Sequence, residues 1–127
     1  MNEAEPLLRE DLEASRRTLG DTHPDTLTSI NNLGLLLKAQ GKLSEAEPLY
    51  RKALEALRRN LGDTHPHTLG GISNLGLLLQ KQGKLNEAEP LFREAVSGAR
   101  KTLGDAHPNT VMFQKHLDHV LQALKKV

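Results

Sequence analysis

Apolar residues recur along this chain at helical spacing, and the pattern repeats. Leu27, Ile30, Leu33 and Leu37 follow one another three or four residues apart, the signature of one apolar helix face. Ala46, Leu49, Tyr50, Ala53 and Leu57 form a second such stripe. Both return 42 residues later, as Leu69, Ile72, Leu75, Leu79 and as Ala88, Leu91, Phe92, Ala95. Aligning Leu19–Asn60 with Leu61–Thr102 gives 27 identities in 42 positions. The register extends outward, since NEAEPLLRE from Asn2 and NEAEPLFRE from Asn86 match SEAEPLYRK from Ser44. Self-similarity at a fixed period of this size marks a repeat architecture. Each period predicts two helices, so the chain reads as second helix, two full pairs, then a lone first helix. The expected helices cover about 2–17, 24–40, 44–60, 66–82, 86–102 and 109–126, with short connections that favour antiparallel neighbours.

The ends of these helices are written in the sequence. Leu-Gly-Asp-Thr-His-Pro stands at Leu19 and Leu61, and Leu-Gly-Asp-Ala-His-Pro at Leu103. In each, Gly turns the chain, Asp, Thr or His offers a capping group, and Pro takes the first helical position, where a missing N–H costs nothing. The leucine is expected to pack the exit of the preceding hairpin. Gly41 suits a left-handed residue ending the first helix. Ser44 with Glu47 fits a capping box, and Asn86 with Glu89 and Asn2 with Glu5 repeat it. Pro48 then falls in the first turn.

The order of large and small residues resembles the tetratricopeptide repeat: Ile30, Leu33-Gly34, Leu37, Ala46 and Tyr50, then Ile72, Leu75-Gly76, Leu79, Ala88 and Phe92. The 42-residue form is similar to the kinesin light chain and nephrocystin-like branch of that family. The resemblance implies an all-α fold, a right-handed α-solenoid of antiparallel helix hairpins with six helices, in one domain over 1–127. Residues 1–18 would be the second helix of a partial repeat, 19–60 and 61–102 full periods, and 103–127 a C-terminal capping helix. Gly34 and Ala46 would let the helices of a hairpin approach closely, and Ala53 would admit the next repeat. In the third copy Leu117-Asp118 replaces Leu-Gly and Gln114 replaces Ile, which suits a helix with one wet face.

The same resemblance implies a concave groove lined by first helices, binding an extended peptide. The residues placed there are Asn31, Asn32, Leu35 and Lys38; Ser73, Asn74, Leu77, Gln80 and Lys81; and Lys115, His116 and His119. An asparagine amide both donates and accepts, so Asn32 and Asn74 could hold a peptide backbone without reading its sequence. The leucines would give an apolar floor, and the lysines would favour acidic residues on the ligand. The alternative is that both asparagines bond locally within the helices. Leu35 and Leu77 stand where a clamp for a C-terminal carboxylate needs polar residues.

Composition narrows the remaining classes. Charges nearly balance, with 17 basic and 16 acidic residues, and aromatics are 2%, which disfavours nucleic acid and membrane surfaces as partners. With no cysteine, thiolate chemistry and cysteine-based zinc sites are excluded, and a cytoplasmic setting is the default. No phosphate-binding glycine loop or nucleophile with a local base is visible, so neither an enzyme nor a cofactor is expected. His23, His65 and His107 would be spaced along one edge of the solenoid, with helix pairs ~20 Å apart at alternate layers and ~10 Å between adjacent helices, whereas zinc ligands sit ~2.0–2.1 Å from one ion. No metal site is therefore expected there, nor at His116 and His119, which lack a third ligand. The Leu-Gly-Leu-Leu-Leu runs could imitate a docking motif but fall on the hairpin core. An alternative function is structural: Leu7, Leu8 and Leu12 on the N-terminal helix, without a hairpin partner, would mediate homo-oligomerisation.

Overall fold

A computed structural model describes residues 4–20 and 23–126. Among them are six helices: α1 (Ala4–Leu19), α2 (Pro24–Ala39), α3 (Leu43–Leu61), α4 (Pro66–Lys81), α5 (Leu85–Leu103) and α6 (Pro108–Lys125). Contacts gather them into two compact units, residues 1–60 and 61–127, divided where the second full period begins. In the first unit α1 packs against α2. In the second, α5 packs against α4 and α6, and α4 also touches α6.

Why the hairpins close is visible at two glycines. Gly34 on α2 lies under the ring of Tyr50 on α3, and Gly76 on α4 lies under the ring of Phe92 on α5. A residue without a side chain lets an aromatic ring lie on the backbone of the facing helix. Ile30, Leu33 and Leu37 complete the buried face of α2, as do Ile72, Leu75 and Leu79 on α4. Of the Leu-Gly-Leu-Leu-Leu runs, Leu33, Gly34, Leu37, Leu75, Gly76, Leu78 and Leu79 are buried, while Leu35 is exposed and Leu77 half-buried.

The His-Pro joint is a capping device. His23, His65 and His107 each occupy the N-cap with extended backbone, and the following proline opens the helix. Each imidazole Nδ1 accepts a hydrogen bond from the backbone N–H two residues on, from Asp25 at 3.1 Å, His67 at 3.1 Å and Asn109 at 3.0 Å. Histidine takes the role usually given to Ser, Thr, Asp or Asn. The acceptor role requires an unprotonated Nδ1. His65→Ala is expected to cost about 1 kcal/mol, and His65→Asn to retain most of the stability, because the Asn oxygen caps equally well; urea denaturation of the two variants checks this. Two of the joint's leucines, Leu19 and Leu61, do not pack as expected but are exposed, while Leu103 is half-buried.

The capping boxes do not form. α3 begins at Leu43 and α5 at Leu85, so Ser44 and Asn86 lie inside the first turn; Lys84 is the N-cap of α5 and makes no side-chain cap. The carbonyls of Lys42 and Lys84 already accept from Ala46 and Ala88 at 3.1 Å, which starts each helix one residue early. The preceding turn forces this. Gly41 and Gly83 adopt φ of +80° and +82°, and the next N–H groups, of Lys42 and Lys84, reach back to the carbonyls of Leu37 and Leu79 at 2.8 Å. Glu47 and Glu89 instead pair along their helices with Arg51 at 2.9 Å and Arg93 at 2.6 Å. Asn2 lies outside the described residues; its partner Glu5 bonds Lys42 at 2.9 Å and Arg9 at 3.1 Å, which lowers the Glu5 pKa. Pro48 and Pro90 consequently sit in the second turn, where each forgoes one backbone hydrogen bond. No helix among the described residues is long and apolar enough to cross a membrane.

Candidate functional site

In the first unit the buried leucine face of α2 turns Asn31, Asn32 and Leu35 outward. All three are exposed, Leu35 at 49%, and Lys38 is half-buried one turn on. Among the described residues neither the Asn31 nor the Asn32 side chain has a hydrogen-bond partner.

The second unit presents two first helices, α4 and α6, in contact. Asn74 is exposed and its side chain, among the described residues, is likewise without a hydrogen-bond partner. Leu77 and Gln80 are half-buried, and Lys81 and Lys115 are exposed. Ser73 does not stand on the open face. It is buried where α6 packs over α4, with its hydroxyl 3.4 Å from Nδ1 of His116. The His116 imidazole also lies against Phe92, with ring centroids 5.4 Å apart. Burial, with a smaller contribution from the positive form of His119, lowers the His116 pKa and favours the neutral ring. Ser73 and His116 therefore join the helices, while Asn74, Lys81, Lys115 and His119 are exposed and Leu77 is half-buried. Lys38, Lys81 and Lys115 have no carboxylate partner among the described residues.

Each unit by itself offers, on its first helices, an amide and an ammonium group without a partner among the described residues, beside a leucine. It can hold another chain by hydrogen bonds and contact. Among the described residues no group of three or more His, Cys, Asp or Glu could hold a metal ion.

A second feature escaped the sequence reading. An open groove of about 530 Å³ runs between α5 and α6, floored by Val96, Leu117 and Leu121 and edged by Arg93, Arg100 and Gln114. Its signal was present in the register: Leu117 and Leu121 occupy the places of Leu75 and Leu79.

Helix hairpins repeated at a fixed period, with first helices displaying free polar groups, define a helical-repeat interaction scaffold. Tetratricopeptide repeat profiles match residues 1–59 and 68–109. The chain belongs to the tetratricopeptide repeat family, with repeats of the kinesin light chain type. Its structure is similar to the nearly identical TPR-like repeats of a Podosopora anserina protein assigned as a kinesin light chain. The TM-score is 0.88 at 29% identity, over 98% of this chain and 59% of that one. A variant of that protein gives 0.88 at 28% identity, over 98% and 59%. BtubC (BKLC) of P. vanneervenii shares the fold, with TM-score 0.87 at 22% identity over 98% of this chain and 50% of that one. The chain thus spans between half and three-fifths of the proteins that it matches. No curated protein matches the sequence.

Proposed function

We propose that this chain binds an extended segment of another protein along the outward faces of its first helices, with Asn32 and Asn74 holding the peptide backbone. The carrying observation is that both asparagines, at equivalent places in the repeat, are exposed and their side chains are without a hydrogen-bond partner among the described residues. The local role that competes with binding needs such a partner. Leu35 and Leu77 supply apolar contact, and Lys38, Lys81 and Lys115 favour acidic side chains on the ligand. The binding surface needs no chemistry of its own; it works by preorganisation, because the amides sit on helices that do not have to order on binding.

The test is a fluorescence-anisotropy titration with labelled peptides that alternate acidic and large apolar residues. Each lost amide contact removes about 0.5–1.5 kcal/mol, so Asn32→Ala with Asn74→Ala is expected to weaken binding about 10- to 100-fold. Equal affinity of the double variant and the parent chain overturns the assignment.

Self-association through α1 is the competing reading. Leu7, exposed at 62%, favours it, and Leu8 is half-buried; Leu12 does not contribute, being buried against α2 at 5% exposure.

A further inference from the structure

One position changes character along the repeat. Asn32 and Asn74 stand one period apart, and the third copy has His116 there. Both asparagines are exposed, whereas His116 is half-buried where three helices meet. Its Nδ1 lies 3.4 Å from the hydroxyl of Ser73 on α4. Its ring lies against Phe92 of α5, with centroids 5.4 Å apart and planes inclined by 51°. Histidine is the side chain whose ordinary charge change falls between about pH 5 and 8. The third copy thus carries a titratable ring in the seat that holds α6 to the α4–α5 hairpin.

The seat suits the neutral ring. Ser73 is buried and uncharged, and its hydroxyl can donate to an unprotonated Nδ1. Phe92 is inaccessible to solvent and brings no hydrogen-bonding group. A buried cation needs a carboxylate beside it. α4 carries no Asp or Glu at all; its titratable groups are His67 and Lys81. α5 carries Glu87, Glu89 and Glu94 with Arg93, Arg100 and Lys101, and Glu89 is paired with Arg93 at 2.6 Å. On α6 stand Lys115, Asp118, His119 and Lys125, and Asp118 accepts from Gln114 at 2.9 Å. Of all these groups only the positive form of His119 acts on the charge of His116, and it opposes that charge.

Burial first, and His119 second, hold the His116 pKa below the ordinary histidine value. In the range between the two values the folded chain binds fewer protons than the unfolded chain, so stability rises with pH. What the neutral ring contributes is complete above the unfolded histidine value of about 6.5. It is lost as the pH falls below that value towards the lower, folded one.

We propose that His116 is a proton-sensitive latch: neutral, it seats α6 on the α4–α5 hairpin, and protonated, it gives up that seat and lets α6 lift away. Lys115 and His119 ride on α6, so its release would also withdraw them from the binding face. That consequence rests on the proposed function, whereas the latch does not.

Amide hydrogen exchange read by mass spectrometry tests this at about pH 7.5 and about pH 5.5, on either side of the ordinary histidine value and above the carboxylate range. Rates are corrected for the intrinsic pH dependence of exchange. In the parent chain the amides of α6 are expected to lose more protection in acid than those of α5. The parent's loss in α6 is expected to exceed that of His116→Asn and of His116→Phe by up to about tenfold, the limit for one ring over this interval. His116→Asn restores the residue of the other copies, and His116→Phe keeps a ring against Phe92. Circular dichroism checks that each variant is helical, and either one supplies the comparison. The cap at His107 is common to parent and variants, so the difference belongs to position 116. The contrast of α6 with α5 is read in the parent chain alone and decides even without a folded variant. An acid loss equal in α5 and α6, a parent that loses no more than folded variants, or protection that rises in acid, as a cation held on the Phe92 face would give, overturns the proposal. No peptide enters the measurement, so failure of the binding site and failure of the latch are told apart.

Discussion

Phe92→Ala is expected to destabilise the second unit by about 3–5 kcal/mol, the range for truncating a fully buried aromatic. Phe92 is inaccessible to solvent, lies on Gly76 of α4 and meets His116 of α6. It therefore ties three helices. Small domains are stable by about 5–15 kcal/mol in total, so the loss is a large share of the whole. Urea denaturation followed by circular dichroism reads it as a fall in midpoint. A change below about 1 kcal/mol, the scale of an ordinary surface substitution, would show that the ring is not the packing centre of this unit.

The two hairpin glycines are expected to respond to alanine with opposite signs. At Gly76 a Cβ would stand 2.9 Å from Cε1 and Cζ of Phe92, closer than carbon atoms approach. Phe92 is enclosed and cannot retreat without moving its helix. Overpacking of this kind costs about 1–3 kcal/mol, more than the roughly 1 kcal/mol that alanine gains over glycine in a helix. At Gly34 the nearest Tyr50 atoms would be 3.6 Å away, an ordinary contact. Gly34→Ala should thus raise stability by up to about 1 kcal/mol, while Gly76→Ala lowers it. Thermal melts of the two variants against the parent chain decide the matter. Equal shifts in one direction would mean that the different spacing under the two rings has no energetic consequence.

How much of this was legible depended on whether a feature was local and repeated. The period, the six helices and the Gly-turn, His-cap, Pro-start joint follow from short-range rules applied at the same offset more than once. The Leu-Gly and aromatic pairs told which faces meet, because a small residue opposite a ring has few other uses. Helix starts were less legible. Ser44 and Asn86 carry good capping side chains, but the turn at Gly41 and Gly83 places the Lys42 and Lys84 carbonyls first. The capping competition was decided by backbone direction, which a side-chain pattern does not encode.

The surface shows the same division. That residues 31, 32 and 35 share the open side of α2 is a matter of helical angle. That Ser73 is lost to packing while Asn74, its neighbour, stays free is not. Only the passage of α6 across α4 separates them.

By itself, then, the sequence determined the repeat, its helices and the pairing within each hairpin, because those rest on spacing and side-chain size along one chain. The tertiary structure alone decided which polar groups are taken up in packing and which, among the described residues, stay exposed. Pairing and exposure are properties of neighbours, and the neighbours come from helices far apart in the chain.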